Sequence, residues 1–357
     1  MSEATLWRGG ALARVDACPA CGARARVLHA SGVFDHLDPA DADRWQVWRC
    51  AGCKSLYPDP RPSDESLAAA YARYYTHLAH PESTGRSVST DRAAPYVNDY
   101  LNRRFGGHRA PAAWPGHALL TLIEPWRLQL DYFGAHLFLK GEGNNRRVLD
   151  VGCGNGLFLR RAESLGWQAT GLDPDPSAVQ AARSQGLDVH QGFVDSDAVP
   201  IAPLFDVIIF RHSIEHVTNI HANLCCALRR LRPGGMVWLA WPNPTGPGAR
   251  YFRESWRGLE VPRHLCIPSG MAMARMLSDA GFERAALRRR GRHAREIVRE
   301  SASIAVAHGD AINRKRARRA GWIRRWSNFL ATIVPGGGEE LVMVAFAPMH
   351  RRKEVAR

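Results

Sequence analysis

The segment VLDVGCGNG, residues 148–156, leaves few folds open. Val148, Leu149 and Val151 make the apolar run of a strand buried on both faces, as in a parallel sheet. Gly152, Gly154 and Gly156 follow as a tight turn, where missing side chains let the backbone approach a ligand. Leu157, Phe158 and Leu159 then open a helix that should stop near Gly166. Strand, glycine turn and helix in this order form the entry unit of an open α/β sheet, whose ligands lie beyond the carboxyl ends of the strands.

Two features of the loop restrict its ligand. A dinucleotide fingerprint needs a third glycine where Leu157 stands. Asp150, two residues before the first glycine, would repel a pyrophosphate. A cationic, phosphate-free ligand removes the conflict, and S-adenosylmethionine, with an ammonium and a sulfonium, is one. Downstream, Gln168–Leu172 reads as the second strand and ends in Asp173, 23 residues after Asp150. An acid about 20 residues beyond the loop is where a ribose diol is held. Asp175 then caps a helix with Pro176 at its first position, and Gly186 ends it. The cofactor-binding candidates are Asp150, Gly152, Gly154, Asn155, Gly156, Asp173, Pro174 and, at the end of the fourth strand, Arg211.

Residues 146–282 carry, in order, VLDVGCGNG, GLDPDP, FDVIIFRHSIEHV, LRPGGMVWLAWPNP, VPRHL and AGF. This order resembles the class I S-adenosylmethionine-dependent methyltransferases. Within them it resembles the ubiquinone-pathway O-methyltransferases, which also carry an E-H-V segment after the fourth strand. The resemblance implies a seven-stranded Rossmann-like sheet with a reversed last strand, S-adenosylmethionine as cofactor, and methyl transfer. It leaves the acceptor open, since enzymes of this pattern methylate hydroxyls, carbons and amines.

At 357 residues the chain has room for a large domain and a smaller one, and 45% apolar residues supply a sizeable core. The N-terminal stretch shows no signal-peptide h-region, and no apolar run approaches the roughly 20 residues of a spanning helix. The expected location is cytoplasmic. There, cysteines in pairs favour metal over disulfides. Cys18 and Cys21 form one C-x-x-C knuckle, Cys50 and Cys53 a second. Two such turns complete a tetrahedral site for a structural Zn2+ with no open position. RARVLHASGVF and RWQVWRC read as the strands that bring the knuckles together. A redox role would need a βαβ context, which is absent. Similar zinc-bearing modules precede the methyltransferase domain in some sugar-modifying C-methyltransferases, a likeness confined to the cysteine pairs.

The expected architecture is α/β: a Rossmann-like seven-stranded methyltransferase sheet with a small N-terminal zinc-ribbon-like module. The expected boundaries are a zinc-binding module over 1–62, a helical linker or lid over 63–145, a methyltransferase domain over 146–348 and a basic tail over 349–357. Inside 63–145, a helix after Ser63 puts Tyr71, Tyr74 and Tyr75 on one side, to pack between modules. Residues 80–116 read as a mobile linker, and 117–138 as core helices broken near Pro125.

Acid–base candidates follow the fourth strand, Phe205–Phe210. His212 and His216, four residues apart, would share a helical face with Glu215 beside them, as an acid/base cluster or a weak metal site. In the related enzymes this element also serves as cofactor wall and helix start. His264, after the fifth strand, is a candidate base, with Trp256 to stack on the acceptor and Arg263 to bind an acidic group on it.

The net charge of +14 is uneven: from Glu283 onward 18 Lys and Arg face 7 Asp and Glu. Such a block favours an acidic partner. Within a basic amphipathic insertion at about 284–338, Trp322, Ile323, Trp326, Phe329, Leu330, Ile333 and Val334 repeat at helical spacing. Packing of this stripe on its own domain is favoured over peripheral membrane contact through 314–334. Residues 339–348 read as the last strand.

The function expected is methylation of a hydroxyl or carbon on a small or carrier-linked metabolite, acidic in character, with a sugar or glycan intermediate as one option. Two alternatives stand beside it. One is an RNA methyltransferase; nucleic acid is the less favoured partner, since Arg211–Ser213 replaces the [DNS]-P-P-[FYW] motif of base amino-group methylation. The other is a non-catalytic protein that binds through its basic helix. The intact glycines and both acids argue against lost cofactor binding.

Overall fold

The computed structural model describes residues 6–38, 43–71, 93–106, 108–135, 146–194 and 204–350. Six short strands come first: β1 (Leu6–Trp7), β2 (Gly10–Ala13), β3 (Arg26–Val33), β4 (Trp45–Cys50), β5 (Leu56–Pro58) and β6 (Arg61–Pro62). Helices α1 (Ala94–Phe105), α2 (Gly116–Leu122) and α3 (Glu124–Ala135) follow. An alternating stretch then runs β7 (Arg147–Val151), α4 (Leu157–Glu163), β8 (Gln168–Asp173), α5 (Pro176–Arg183), β9 (Asp188–Gln191), β10 (Phe205–Arg211), α6 (Ile220–Arg230), β11 (Leu231–Pro242), α7 (Pro247–Phe252), α8 (Gly270–Asp279) and β12 (Glu283–Leu287). Three helices, α9 (Ala294–His308), α10 (Ala311–Arg318) and α11 (Ala320–Ile333), precede the last strand, β13 (Glu340–Phe346).

Seven of these strands form one mixed sheet in the order β12-β13-β11-β10-β7-β8-β9, the Rossmann-like arrangement expected of the glycine-loop unit. Contacts divide the chain into two compact units, one of residues up to Tyr74 with Arg211–Leu228 and Leu239–Phe346, the other of the remainder.

The second unit holds the parallel block. β7 pairs in parallel with both β8 and β10, and β8 with β9. Val148 and Leu149 are fully buried between their neighbours, as an unbroken apolar run requires. The predicted cap is present: the Asp175 carboxylate accepts from Ser177 N at 2.9 Å, with Pro176 opening α5. Gly166 (φ 83°) and Gly186 (φ 81°) end their helices in the left-handed region. Part of the expected linker is ordered: Ala94–Phe105 is a helix, whose Tyr100, Leu101 and Phe105 pack with Leu120. Its apolar residues were diluted by asparagine, arginine and aspartate, and polar groups serve the packing. Tyr100 donates to Asp131 at 2.6 Å, and Asp99 caps the start of α2 by accepting from His117 N at 2.8 Å. The break between the next helices falls at Ile123, two residues before Pro125. Tyr74, Tyr75 and residues 80–92 of the expected linker lie outside the described residues, as do 351–357 of the expected tail.

The first unit joins the N-terminal strands to the later half of the chain. β3, β4 and β5 form one antiparallel sheet and β1, β2 and β6 another. Leu56 and Ile267 exchange backbone hydrogen bonds at 3.0 and 2.8 Å, so β5 extends onto the segment before α8. β12 runs antiparallel to β13, and its five residues begin where the insertion was expected to start. Glu339 and Glu340 are fully or almost fully buried, and Leu341–Ala345 carry the apolar core of β13.

Candidate active site

In the second unit, Asp150 closes β7 and is fully buried. The chain then turns on Gly152 (φ 79°), Gly154 (φ 55°) and Gly156 (φ 79°), a left-handed sequence that side chains resist. Gly152 N and Cys153 N both donate to Leu172 O, at 2.7 and 3.2 Å, which pins the turn to the end of β8. Asp173 continues that strand end. One of its carboxylate oxygens accepts from Gly154 N at 2.8 Å, the other from Asp175 N at 3.0 Å. Asn155 accepts from Leu157 N at 3.3 Å and so starts α4, while Pro174 O accepts from Gln191 at 3.4 Å. The loop candidates from Asp150 to Gly156 thus meet Asp173 and Pro174 in one constellation. A side chain at Gly156 would strike Leu187 at 2.3 Å, whereas one at Gly154 would enter open space. The Gly154 backbone therefore faces a clear volume beside Asp173, the setting a cationic nucleoside needs. S-adenosylmethionine fits these residues.

In the first unit, Arg211 ends β10 and His212 takes a left-handed backbone (φ 51°), its N–H donating to Ala240 O at 2.8 Å. This turn defeats the expected shared face of His212 and His216. The imidazole of His212 instead has Nε2 2.8 Å from Glu340 and Nδ1 3.5 Å from Glu215. Burial alone would lower its pKa, but the hydrogen bonds to Glu215 and Glu340 prevail and push it up to about 10. With a carboxylate at each nitrogen, the half-exposed ring is an imidazolium. Arg290 also bonds Glu340.

His216 follows on a 3₁₀ turn, Ile214–His216. Its Nδ1 lies 2.8 Å from the hydroxyl of Tyr71 and 3.2 Å from Arg263 O. Its ring meets that of His264 edge to face, with centroids 4.6 Å apart. His264 donates from Nδ1 to Gly258 O at 2.8 Å, which leaves Nε2 as the basic nitrogen. That nitrogen is 3.8 Å from both Glu215 and Glu260. Burial is the main reason the His264 pKa drops to about 4, so the ring is neutral at pH 7. Glu215 is fully buried, and its backbone carbonyl accepts from Leu265 N at 2.9 Å. Glu215, His216 and His264 present ligand atoms within 4.8 Å of one another. Such a set can relay a proton or bind a cation.

Two expected acceptor contacts are taken up inside the protein. Trp256 is only 2% exposed and packs in the core rather than offering a stacking face. Arg263 is 3% exposed and grips Asp35 with both terminal nitrogens, one at 2.7 Å, while also donating to Ala70 O at 3.2 Å. Sequence reasoning passed over Asp35, Glu260 and Glu340. Their partners are 228, 4 and 128 residues away, and only the pair Glu260–His264, at helical spacing, left a local signal.

The four knuckle cysteines converge. Cys18 and Cys53 place their sulfurs 3.6 Å apart, Cys21 and Cys50 3.5 Å apart, and all four lie within 4.8 Å. Disulfide sulfurs sit at about 2.05 Å; thiolates around a tetrahedral zinc at about 2.3 Å are about 3.8 Å apart. The donor set fits a zinc. Each knuckle closes on a left-handed residue, Gly22 (φ 73°) and Lys54 (φ 67°), whose N–H returns to the carbonyl of the first cysteine. The second knuckle is tied to the start of α8: Ser269 donates to Cys53 O at 2.6 Å and accepts in turn from Ala272 N at 3.2 Å.

A methyltransferase domain family matches residues 123–287. A ubiquinone biosynthesis O-methyltransferase of Xanthomonas oryzae pv. oryzae is 36% identical over 124 residues, 33% of this chain and 50% of that protein. The enzyme of the same name from Alkalilimnicola ehrlichii is 34% identical over 157 residues, 42% of this chain and 62% of its own length. The chain thus spans between half and two thirds of the curated relatives it matches. Among solved structures, Haemonchus contortus phosphoethanolamine N-methyltransferase 2 in complex with S-adenosyl-L-methionine is 16% identical. It covers 90% of this chain and 68% of its own, with a TM-score of 0.44.

Proposed function

We propose that the chain is a class I S-adenosylmethionine-dependent methyltransferase, a reading supported by the match over residues 123–287, and that it methylates a hydroxyl or carbon acid on a small or carrier-linked metabolite. A sugar or glycan intermediate is one such acceptor. Asp173, the acid at the end of the second strand, would hold the ribose hydroxyls. Asp150 supplies negative charge at the strand end. Asn155 and Pro174 complete the donor's surroundings, and the glycine turn admits it closely. Bound there, the donor supplies a methyl group already activated on a sulfonium. What remains for the protein is alignment, worth roughly 7–11 kcal/mol, and a base where the acceptor must lose a proton. Cys18, Cys21, Cys50 and Cys53 would hold a structural zinc.

The observation that carries the reading is the pair of imidazoles, His216 and His264, around the fully buried Glu215. An amine acceptor needs no such device. A hydroxyl or carbon acid does: a neutral imidazole takes the proton and a fixed carboxylate stabilises the imidazolium that forms. His212, already charged, steadies Glu215 and meets an anionic acceptor rather than acting as base.

Labelled donor incubated with the protein and a cell extract should yield an O- or C-methylated product. With that acceptor, Glu215→Gln and His264→Gln should lower kcat by roughly 10²–10⁴-fold, while calorimetry shows donor affinity unchanged. An N-methylated product, or full turnover in both variants, would sink the assignment of these groups as the base machinery.

A further inference from the structure

The arginine-rich insertion carries a second surface. α11 packs through one narrow face, with Ile323, Ser327 and Ala331 buried at a spacing of four, against α7 and α9. Leu330 is half-buried, and the large rings and the last two aliphatics stay exposed. Trp322 is 65% exposed, Trp326 43%, Phe329 54%, and Ile333 and Val334 follow at 50% and 44%. Ring centroids of Trp322 and Trp326 are 6.2 Å apart at 13°, those of Trp326 and Phe329 5.7 Å apart at 25°, so the rings form one ladder along the helix. The expected burial of the stripe thus holds for Ile323 and in part for Leu330, and fails for the three rings, Ile333 and Val334. The face that fits the protein is narrow, Ile323 with the small Ser327 and Ala331, and the large rings are left over.

The charges around the ladder are of one sign. From Ala311 to Gly338 the sequence has no aspartate or glutamate. Arg314, Lys315, Arg318, Arg319, Arg324 and Arg325 are exposed there, while Arg316 is half-buried and paired with Glu254. We propose that α10 and α11 form a docking surface for an anionic phospholipid bilayer, with the Trp322–Trp326–Phe329 ladder at the headgroup–acyl boundary and the arginines on lipid phosphates. Amphipathic tryptophan rings settle at that boundary, and arginine stems reach back toward the headgroups. A single-stranded nucleic acid would also meet cations and aromatics, but it binds by stacking bases on open ring faces. Here neighbouring rings are already stacked along the helix, and Ile333, Val334 and Ile312 (66% exposed) add aliphatic surface that bases do not use. The docking surface is independent of the acceptor reading.

The full chain is sedimented with phosphatidylcholine vesicles, with and without phosphatidylglycerol, at low and high salt. Binding should require the anionic lipid and weaken with salt. Trp322→Ser with Trp326→Ser should lower the partition coefficient about tenfold or more, and Arg324→Gln with Arg325→Gln should lower it as well. Circular dichroism and S-adenosylmethionine affinity should be unchanged in both, because these side chains lie on the exposed face. Absence of binding, equal binding to neutral vesicles, or binding indifferent to the ring substitutions would overturn the proposal. So would tight association with an RNA oligonucleotide that displaces the protein from vesicles.

Discussion

Gly154 and Gly156 have the same kind of backbone and different surroundings, which separates two costs of adding a methyl group. At Gly154 the new Cβ meets nothing within 4 Å, so Gly154→Ala pays only for the left-handed conformation, about 1–2 kcal/mol. At Gly156 the same strain is joined by a 2.3 Å clash with Leu187, and overpacking adds about 1–3 kcal/mol. Denaturant unfolding should therefore rank Gly156→Ala below Gly154→Ala, while calorimetry should find donor binding weakened in both. Equal stabilities would mean that Leu187 yields freely. The loop was readable residue by residue because strand, turn and cap are local: Asp175 caps α5 where its side chain and Pro176 said it should. His212 was not readable. Its partners, Glu215 and Glu340, are reached only because the backbone turns left-handed at φ 51°, and nothing in the sequence distinguishes that turn from a helical one. The folded pKa of His212 is raised, so its ion pairs contribute fully below about pH 6.5 and are lost as pH rises through about 10. Denaturation of His212→Gln alongside the unaltered chain should show a stability gap at neutral pH that closes on approach to pH 10. A gap that widened with pH would contradict an imidazolium clamped by two acids.

At the scale of elements, the cysteine knuckles and the histidine pair share one set of supports. Leu56 and Ile267 bridge backbone to backbone, Ser269 closes on Cys53 O and Ser55, Arg263 grips Asp35, and Tyr71 touches His216. A four-thiolate site contributes folding free energy directly, so its loss should loosen what it holds. Metal analysis should find about one zinc per chain. After chelation, hydrogen exchange should accelerate at the amides of Leu56, Leu265 and Ile267, while those of Val148 and Leu149 in β7 keep their protection. Protection unchanged at Ile267 would show that the cysteines support only their own turns. The knuckles themselves were legible from spacing, since C-x-x-C is a local motif with a geometric consequence. Their attachment to residues 263–269 was not, because two serines and a short β bridge leave no periodic trace. Trp256 was misread for a related reason. A tryptophan in a loop advertises a stacking face, but burial is decided by what packs over it, and here the helices of the arginine-rich insertion belong to the same compact unit.

For the whole molecule, the sign of the pH response follows from a group of histidines kept neutral by burial. His29, His36, His264 and His293 each have a pKa lowered to about 4. Desolvation leads in all four, reinforced by Arg49 at His29, Arg257 at His36 and Arg290 at His293. In the unfolded chain each would titrate near 6.5. Between these values the unfolded state binds more protons, so stability falls as pH falls, by up to about 1.4 kcal/mol per pH unit for each histidine. Above about pH 6.5 the term is complete, and below about 4 it is exhausted. The carboxylates work in the same direction. Glu215, Glu254, Glu260 and Glu340 all have lowered pKa values: burial opposes the shift, and neighbouring cations or hydrogen bonds outweigh it. Their contribution is lost lower, as pH drops below the ordinary carboxylate range. His212 and Glu339 oppose: His212 gains protonation on folding, and burial raises the Glu339 carboxyl. Denaturant midpoints measured across pH should therefore rise a little from 8 to about 7, where the His212 term governs, and decline steeply from about 6.5 toward 5. Replacing His29 or His293 by glutamine should lessen the steepness by nearly one proton each. A midpoint that stayed level down to pH 5 would mean these imidazoles find water or acids when they charge, and the tightly packed first unit would have to be more open than its burial indicates.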